Sequence, residues 1–363
     1  MRIVSVQGLK QDMKLGKSIF SEDGKILLVS GTKLTKNYIR QLKHKNIPAV
    51  YIDDEISKDI EIKNVLDDVL RFKAVNKIKN IVNDLIPRNK NKTIMDNKQY
   101  LDVKNIIYRI INNMEKNKDI LFNMVEMMST DVATYNHMVN VAILSILVAR
   151  ELNIPEDKIN EIATGAIIHD IGKLQIPPEI LNKSQNLTEL EAETIREHTR
   201  YGYDIIKDNV SVSSIVKTIV LLHHEKIDGS GYPMGLKGHD INIYTQIVSV
   251  CNMYDGMVRD RVYKRKVPIY KALEAISSEA IAKHDRKIYD ALVKNITFFP
   301  QGSGVLLNTG QKGLVTKVNK DNPTRPKVKL VLNPDGRLYR GFKIVDLMED
   351  LTLFVDDRCD ISF

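Results

Sequence analysis

Residues 159 to 171 are almost all apolar or small (Ile159, Ile162, Ala163, Gly165, Ala166, Ile167, Ile168, Ile171), and His169 and Asp170 stand inside that run. A helix apolar on every side is buried. An imidazole and a carboxylate buried with it cost several kcal/mol unless they are partnered. The run therefore demands a fold that brings polar partners to His169-Asp170 from elsewhere. Five of the eight histidines, His137, His169, His198, His223 and His224, lie between positions 137 and 224. A carboxylate beside an imidazole, joined by imidazoles from other helices, is the donor set of two-metal hydrolytic chemistry. Asp170 can bridge two cations with its two oxygens while His169 serves one of them.

The other candidates carry unequal weight. His137 sits in an apolar helical pattern running from about 130 to 152. Alone, a histidine there is more often a hydrogen-bonded core residue than a ligand. His198 follows a charged helix, 188–197, and His223-His224-Glu225 closes a second apolar run, 215–222. Lys173 shares a face with His169 and Asp170 if the helix persists that far. It can then hold a phosphate oxygen or assist a leaving alkoxide; otherwise it is a cation favourable to a helix C-terminus. His44, His239 and His284 have polar neighbours and are read as surface residues. Asp228-Gly229-Ser230-Gly231-Tyr232-Pro233 cannot be helix, and beside a metal site such a loop could stack a base or line a groove. Arg259, Arg261, Lys264, Arg265 and Lys266 surround Tyr263, as phosphate contacts or as a solvated helix end.

Charge and organisation narrow the class. The net charge is +8, but residues 131–300 carry 20 Lys+Arg against 22 Asp+Glu. The histidine-rich segment is not a basic domain, which argues against duplex nucleic acid as partner. Val139 to Ala149 is too short to span a bilayer, so no membrane insertion is expected. Cys251 and Cys359 fall in no Cys-x-x-Cys pattern, which points to a reducing cytoplasm.

A length of 363 residues suggests two or three domains. Residues 1–57 read as a small α+β unit: strands at 18–20 and 25–29 around a turn at 21–24, a helix at 35–45, and a strand at 49–52. Residues 58–119 read as a helical connector. One stripe runs through Ile62, Val65, Val69, Phe72, Ile78, Val82 and Leu85, and another from Val103 to Leu121. Packing onto the next domain is its plainest role; a linker or a dimer seam are the others. Residues 120–299 are helical in pattern, and 300–363 form a small β domain with strands at 305–307, 313–318, 327–332 and 342–345.

The combination of His169-Asp170-Ile171-Gly172-Lys173, Ile176-Pro177, His198, His223-His224-Glu225 and Asp228-Gly229-Ser230-Gly231-Tyr232-Pro233 resembles the HD-GYP phosphodiesterases over about residues 125–290. The resemblance implies a mainly α protein with an all-helical HD-type catalytic domain. It implies hydrolysis of cyclic di-GMP, to pGpG or GMP, with two divalent ions, iron or manganese, supplying a bridging hydroxide. It puts His137, His169, Asp170, His198, His223 and His224 at metal-ligand positions. It puts Lys173 near the scissile phosphate, with Asp170 catalytic as well. Arg261 and Lys264 match substrate-phosphate contacts, and Gly231, Tyr232 and Pro233 the substrate loop.

Two positions depart from the pattern. Asn252 stands where the family's last ligand is usually aspartate, with Asp255 a competing ligand three residues on. Ala133 stands where some members have a glutamate for a third metal. Two rival readings stay open: hydrolysis of another 3′,3′-cyclic dinucleotide, and a catalytically weak sensor that signals through its flanks. The flanking regions also leave room for a homodimer or a signalling partner.

Overall fold

A computed structural model describes residues 1–20, 26–45, 47, 49–85, 93–117, 120–123, 133–183, 185–258, 277–278 and 283–361. The N-terminal unit is α+β as expected, with two strands more than its sequence suggests, β1 and β2. β1 (Arg2–Ser5) and β2 (Lys14–Leu15) both pair antiparallel with β5 (Ala49–Asp53). β3 (Ile19–Phe20) and β4 (Ile26–Leu28) form the expected hairpin, whose turn lies outside the described residues. α1 (Lys36–His44) starts at an N-cap, where the Thr35 hydroxyl accepts from the Tyr38 amide.

The first connector helix begins six residues after Ile62, where its apolar stripe starts. α2 spans Asp68–Leu85, because Asp67 Oδ1 accepts from the amides of Val69 and Leu70 and so starts the helix there. Val69, expected on the buried face, is half exposed, and Arg71 is buried instead. α3 spans Asn97–Glu115, opened by a capping box between Asp96 and Gln99 and closed before Leu121. α2 packs onto α4 (Ala133–Glu151) and α3 onto α5 (Glu156–Ile168). Ile78, Ile107, Val141 and Ile162 belong to one continuous core. Packing onto the next domain is thus what the stripe does.

The helical domain continues with α6 (Pro178–Leu181), α7 (Glu189–Arg196), α8 (His198–Ile206), α9 (Ser214–Leu222), α10 (Ile243–Val258) and α11 (Arg286–Lys294). Its two ends meet in a short parallel pair, β6 (Phe122–Asn123) with β7 (Ile296–Thr297), which helical periodicity does not signal.

The C-terminal unit is a five-stranded antiparallel sheet. It comprises β8 (Gly304–Leu307), β9 (Lys312–Lys317), β10 (Lys327–Leu332), β11 (Leu338–Asp346) and β12 (Val355–Arg358), in the order β11-β10-β9-β8-β12. β12 is an addition to the four expected strands. One face of this sheet adds Val305, Val315, Val328 and Leu330 to the helical core. The two terminal units also join each other. The buried Arg2 donates through Nη1 to the Ile361 carbonyl at 2.6 Å and through Nε to Asp54 at 2.7 Å. Lys329 Nζ donates to the Ile56 carbonyl and to Asp59. Among the described residues no helix is long and apolar enough to cross a membrane.

Candidate metal centre

Three of the converging histidine rings stand where helices end or begin. The last turn of a helix leaves carbonyls without an intrahelical partner. His169 follows the last residue of α5, and its Nδ1 donates to the Ala166 carbonyl at 2.6 Å. His223 follows α9 and uses the Val220 carbonyl at 3.0 Å. His198, at the start of α8, uses the Ile195 carbonyl in the last turn of α7 at 2.6 Å. A carbonyl only accepts, so in each ring Nδ1 carries the proton and Nε2 presents a lone pair. His137 differs. It lies inside α4, where the neighbouring carbonyls are committed, and its Nδ1 instead meets Asp255 Oδ2 at 2.6 Å.

Asp170 sits at the centre, 2% exposed. Its Oδ2 lies 3.7 Å from His137 Nε2 and 3.5 Å from His169 Nε2. Its Oδ1 lies 3.4 Å from His198 Nε2 and 3.9 Å from His223 Nε2. Two donor groups result, His137-His169-Asp170 and Asp170-His198-His223-His224, each with its donor atoms within 4.8 Å of one another. The shared carboxylate is the feature a pair of cations needs. His169 Nε2 and Asp170 Oδ1 are buried with no hydrogen-bond partner among protein atoms. Such orphaned atoms are rare in folded interiors, and a cation at each of the two donor groups would satisfy both. The donor set therefore fits metal binding.

Burial pushes the His169 imidazole down to about 4 and lowers that of His198. His223 and His224 are held well below the usual range by desolvation and by neighbouring imidazoles. Burial would raise the Asp170 carboxyl; the Lys173 ammonium and the surrounding histidines overcome it and hold it well below the carboxylate range. Neutral imidazoles and an ionised carboxylate are the metal-binding forms.

The α5 helix does not persist to Lys173. Residues Ile171–Gln175 form a 3-10 turn, and Lys173 reaches back to Asp170 Oδ2 at 2.6 Å. That turn packs against α8 so closely that a Cβ on Gly172 would lie 1.9 Å from the His198 carbonyl oxygen and 2.4 Å from the Gly202 nitrogen. Only glycine permits the approach that brings His198 to Asp170.

The loop after His224 is held by Glu225, 1% exposed. Its carboxylate accepts from the amides of Met234, Gly235 and Leu236 at 2.7, 3.2 and 2.9 Å. Gly231 lies over the chain at 224–226, where a Cβ would come within 2.5 Å of Glu225 Cα. The Tyr232 ring stacks on His224, with centroids 4.6 Å apart and an 18° interplanar angle. Burial raises the Tyr232 phenol. Beside the loop opens a pocket of about 450 Å³ lined by Arg196, Arg200, Tyr201, Tyr232 and Pro233, among others. Arg200 donates to the Pro233 carbonyl at 3.2 Å.

Of the residues expected at the site, His137, His169, Asp170, Lys173, His198, His223, His224 and Tyr232 come together, with Gly231 and Pro233 in the adjoining loop. Asn252 is half-buried on α10, one turn before Asp255. Asp255 engages His137 with one oxygen and accepts from Asn140 Nδ2 with the other, at 3.1 Å. Arg261 and Lys264, with the rest of the basic patch around Tyr263, lie outside the described residues. His239 is fully exposed. His284, read as a surface residue, is 5% exposed instead, because its segment packs on the loop: the Lys283 carbonyl accepts from the Ile227 amide. The sequence marks Glu225 only as a carboxylate directly after two clustered histidines; its hold on the loop comes from the fold.

Residues 115–288 match the family described as HD domain, and residues 304–362 match the KOW domain associated with HD domain. A cyclic di-GMP phosphodiesterase of Pseudomonas aeruginosa is 33% identical over 234 residues, 64% of this chain and 56% of that protein. One from Thermotoga maritima is 36% identical over 183 residues, 49% of this chain and 50% of that protein. The chain thus spans about half the length of these curated relatives. The solved structure of an HDG"Y"P protein from Bdellovibrio bacteriovorus shares the fold, with a TM-score of 0.52 at 20% identity, over 80% of this chain and 97% of that one.

Proposed function

The chain belongs to the HD-GYP phosphodiesterase family, and from that premise we propose that it acts in the cytoplasm on cyclic di-GMP, opening a phosphodiester bond to give pGpG or GMP. The observation that carries this reading is the Asp170 carboxylate shared between two histidine groups, with His169 Nε2 and Asp170 Oδ1 buried and without a hydrogen-bond partner among protein atoms. We assign His137, His169 and Asp170 to one ion and Asp170, His198, His223 and His224 to a second, iron or manganese. Asn252 is the remaining candidate ligand. When bound, such ions supply Lewis acidity toward the phosphate and an activated water.

The chain's own groups do the rest. Lys173 is the cation beside Asp170, placed to hold a phosphate oxygen as negative charge develops. Tyr232, braced by His224 and by the Glu225-held loop, offers an aromatic edge to the groove. Arg196 and Arg200 line that groove, and Arg261 and Lys264 are assigned to further phosphate contacts. Asn252, neutral where the family pattern has a charge, supports a second reading: a weakly catalytic sensor that signals through the joined terminal units.

One assay separates the readings. The purified chain is incubated with cyclic di-GMP and Mn²⁺ or Fe²⁺, and nucleotides are resolved by chromatography. Metal-dependent linear product is the expected result. Cleavage of a mixed-base 3′,3′-cyclic dinucleotide alone would reassign the substrate. Tight binding without cleavage would favour the sensor.

A further inference from the structure

We infer that Arg71, on α2 and outside the matched HD segment, is a positioning residue for the metal centre, acting through Asn140 and Asp255 on His137. The inference rests on the metal-site reading above. Arg71 is 7% exposed, and its Nη1 donates to Asn140 Oδ1 at 2.6 Å. Asn140, 1% exposed, donates through Nδ2 to Asp255 Oδ1 at 3.1 Å. Asp255, fully buried, accepts through Oδ2 from His137 Nδ1 at 2.6 Å. His137 Nε2 faces Asp170.

The direction of every link follows from the first. A guanidinium has donors and no acceptor, so it can meet only the oxygen of the Asn140 amide. That choice turns the Asn140 NH₂ toward Asp255. An ionised carboxylate is acceptor-only, so His137 must carry its proton on Nδ1, which leaves Nε2 as a lone pair toward the cation site. The other three rings obtain the same polarity from carbonyls in the last turn of a helix. His137, inside α4, has no such carbonyl and depends on the relay. Arg71 also supplies, two links away, a positive charge for a carboxylate that is fully buried, and its guanidinium lies 5.7 Å from the Phe122 ring centre.

The test is a two-site Mn²⁺ titration of the full chain, wild type against Arg71→Leu and Asn140→Leu, with circular dichroism to verify folding. Removing a group that orients a metal-ligating histidine typically weakens metal binding about 10- to 100-fold. Each variant is expected to lose affinity by that order at one site and keep the other. The double variant should lose little more than either single one, because both act on the same path. Arg71→Lys covers the case in which Arg71→Leu does not fold. It keeps the cation without the fixed fork and should weaken the same site by less. Unchanged affinity in folded variants, equal loss at both sites, or additive losses would overturn the relay. Failure to hydrolyse cyclic dinucleotides with the one-site metal defect intact would sink the functional reading and leave the relay standing.

Discussion

The two sides of Asp170 are built differently. On the Oδ1 side, His198 and His223 stand at helix ends and take their orientation from backbone carbonyls one turn away. On the Oδ2 side, His169 does the same, but His137 is oriented by a side-chain chain that ends on another helix. The first arrangement is local and comes with the helix boundary. The second needs long-range packing and can be altered without touching a helix end. The Oδ1 side also carries the stacked His224–Tyr232 pair and the pocket. One half of the centre thus adjoins the pocket, and the other is tied through Asn140 to α2.

The most severe way to break the comparison removes what the halves share. Asp170→Ala should abolish hydrolysis to background and empty both sites in elemental analysis; retention of near-normal turnover would dissolve the two-sided picture. Asp255→Ala strikes one half only. It should weaken the Oδ2-side ion about 10- to 100-fold, seen as the loss of one tight phase in a metal titration. Lys173→Ala should lower turnover by about 10²-fold with metal content preserved; metal loss there would mean that Lys173 serves Asp170 alone. Glu225→Gln loosens the loop on the Oδ1 side and should raise KM several-fold at unchanged metal content, measured by steady-state kinetics. The smallest effect is expected from Asn252→Asp. An anionic ligand should tighten metal binding modestly and raise activity at limiting Mn²⁺, and no change in affinity would put position 252 outside the coordination sphere.

What could be read from the chain beforehand follows the same divide. His169-Asp170 and His223-His224 were legible because each pair ends an apolar run, and a buried charge announces its need for partners. His137 was not separable from an ordinary core histidine without the family pattern, since its partner Asp255 is 118 positions away. Arg71 carried one faint signal: a charged residue four before Val75 and seven before Ile78, on the buried face of α2. The end of α5 at Ile168 is not legible in the sequence, because the apolar run continues through Ile171, while the histidine ring and the Gly172 contact with α8 close the helix. The terminal units looked separable, yet Arg2 and Ile361, 359 positions apart, hold them together.

The central claim is that one carboxylate serves two cations. Elemental analysis of the anaerobically reconstituted wild-type chain, beside Asp170→Asn, tests it most directly. The account predicts close to two ions per wild-type chain, since Ala133 offers no ligand for a third, and fewer than one tightly held in Asp170→Asn, whose neutral amide cannot bridge. One ion per wild-type chain at saturation, or two in Asp170→Asn, would contradict it.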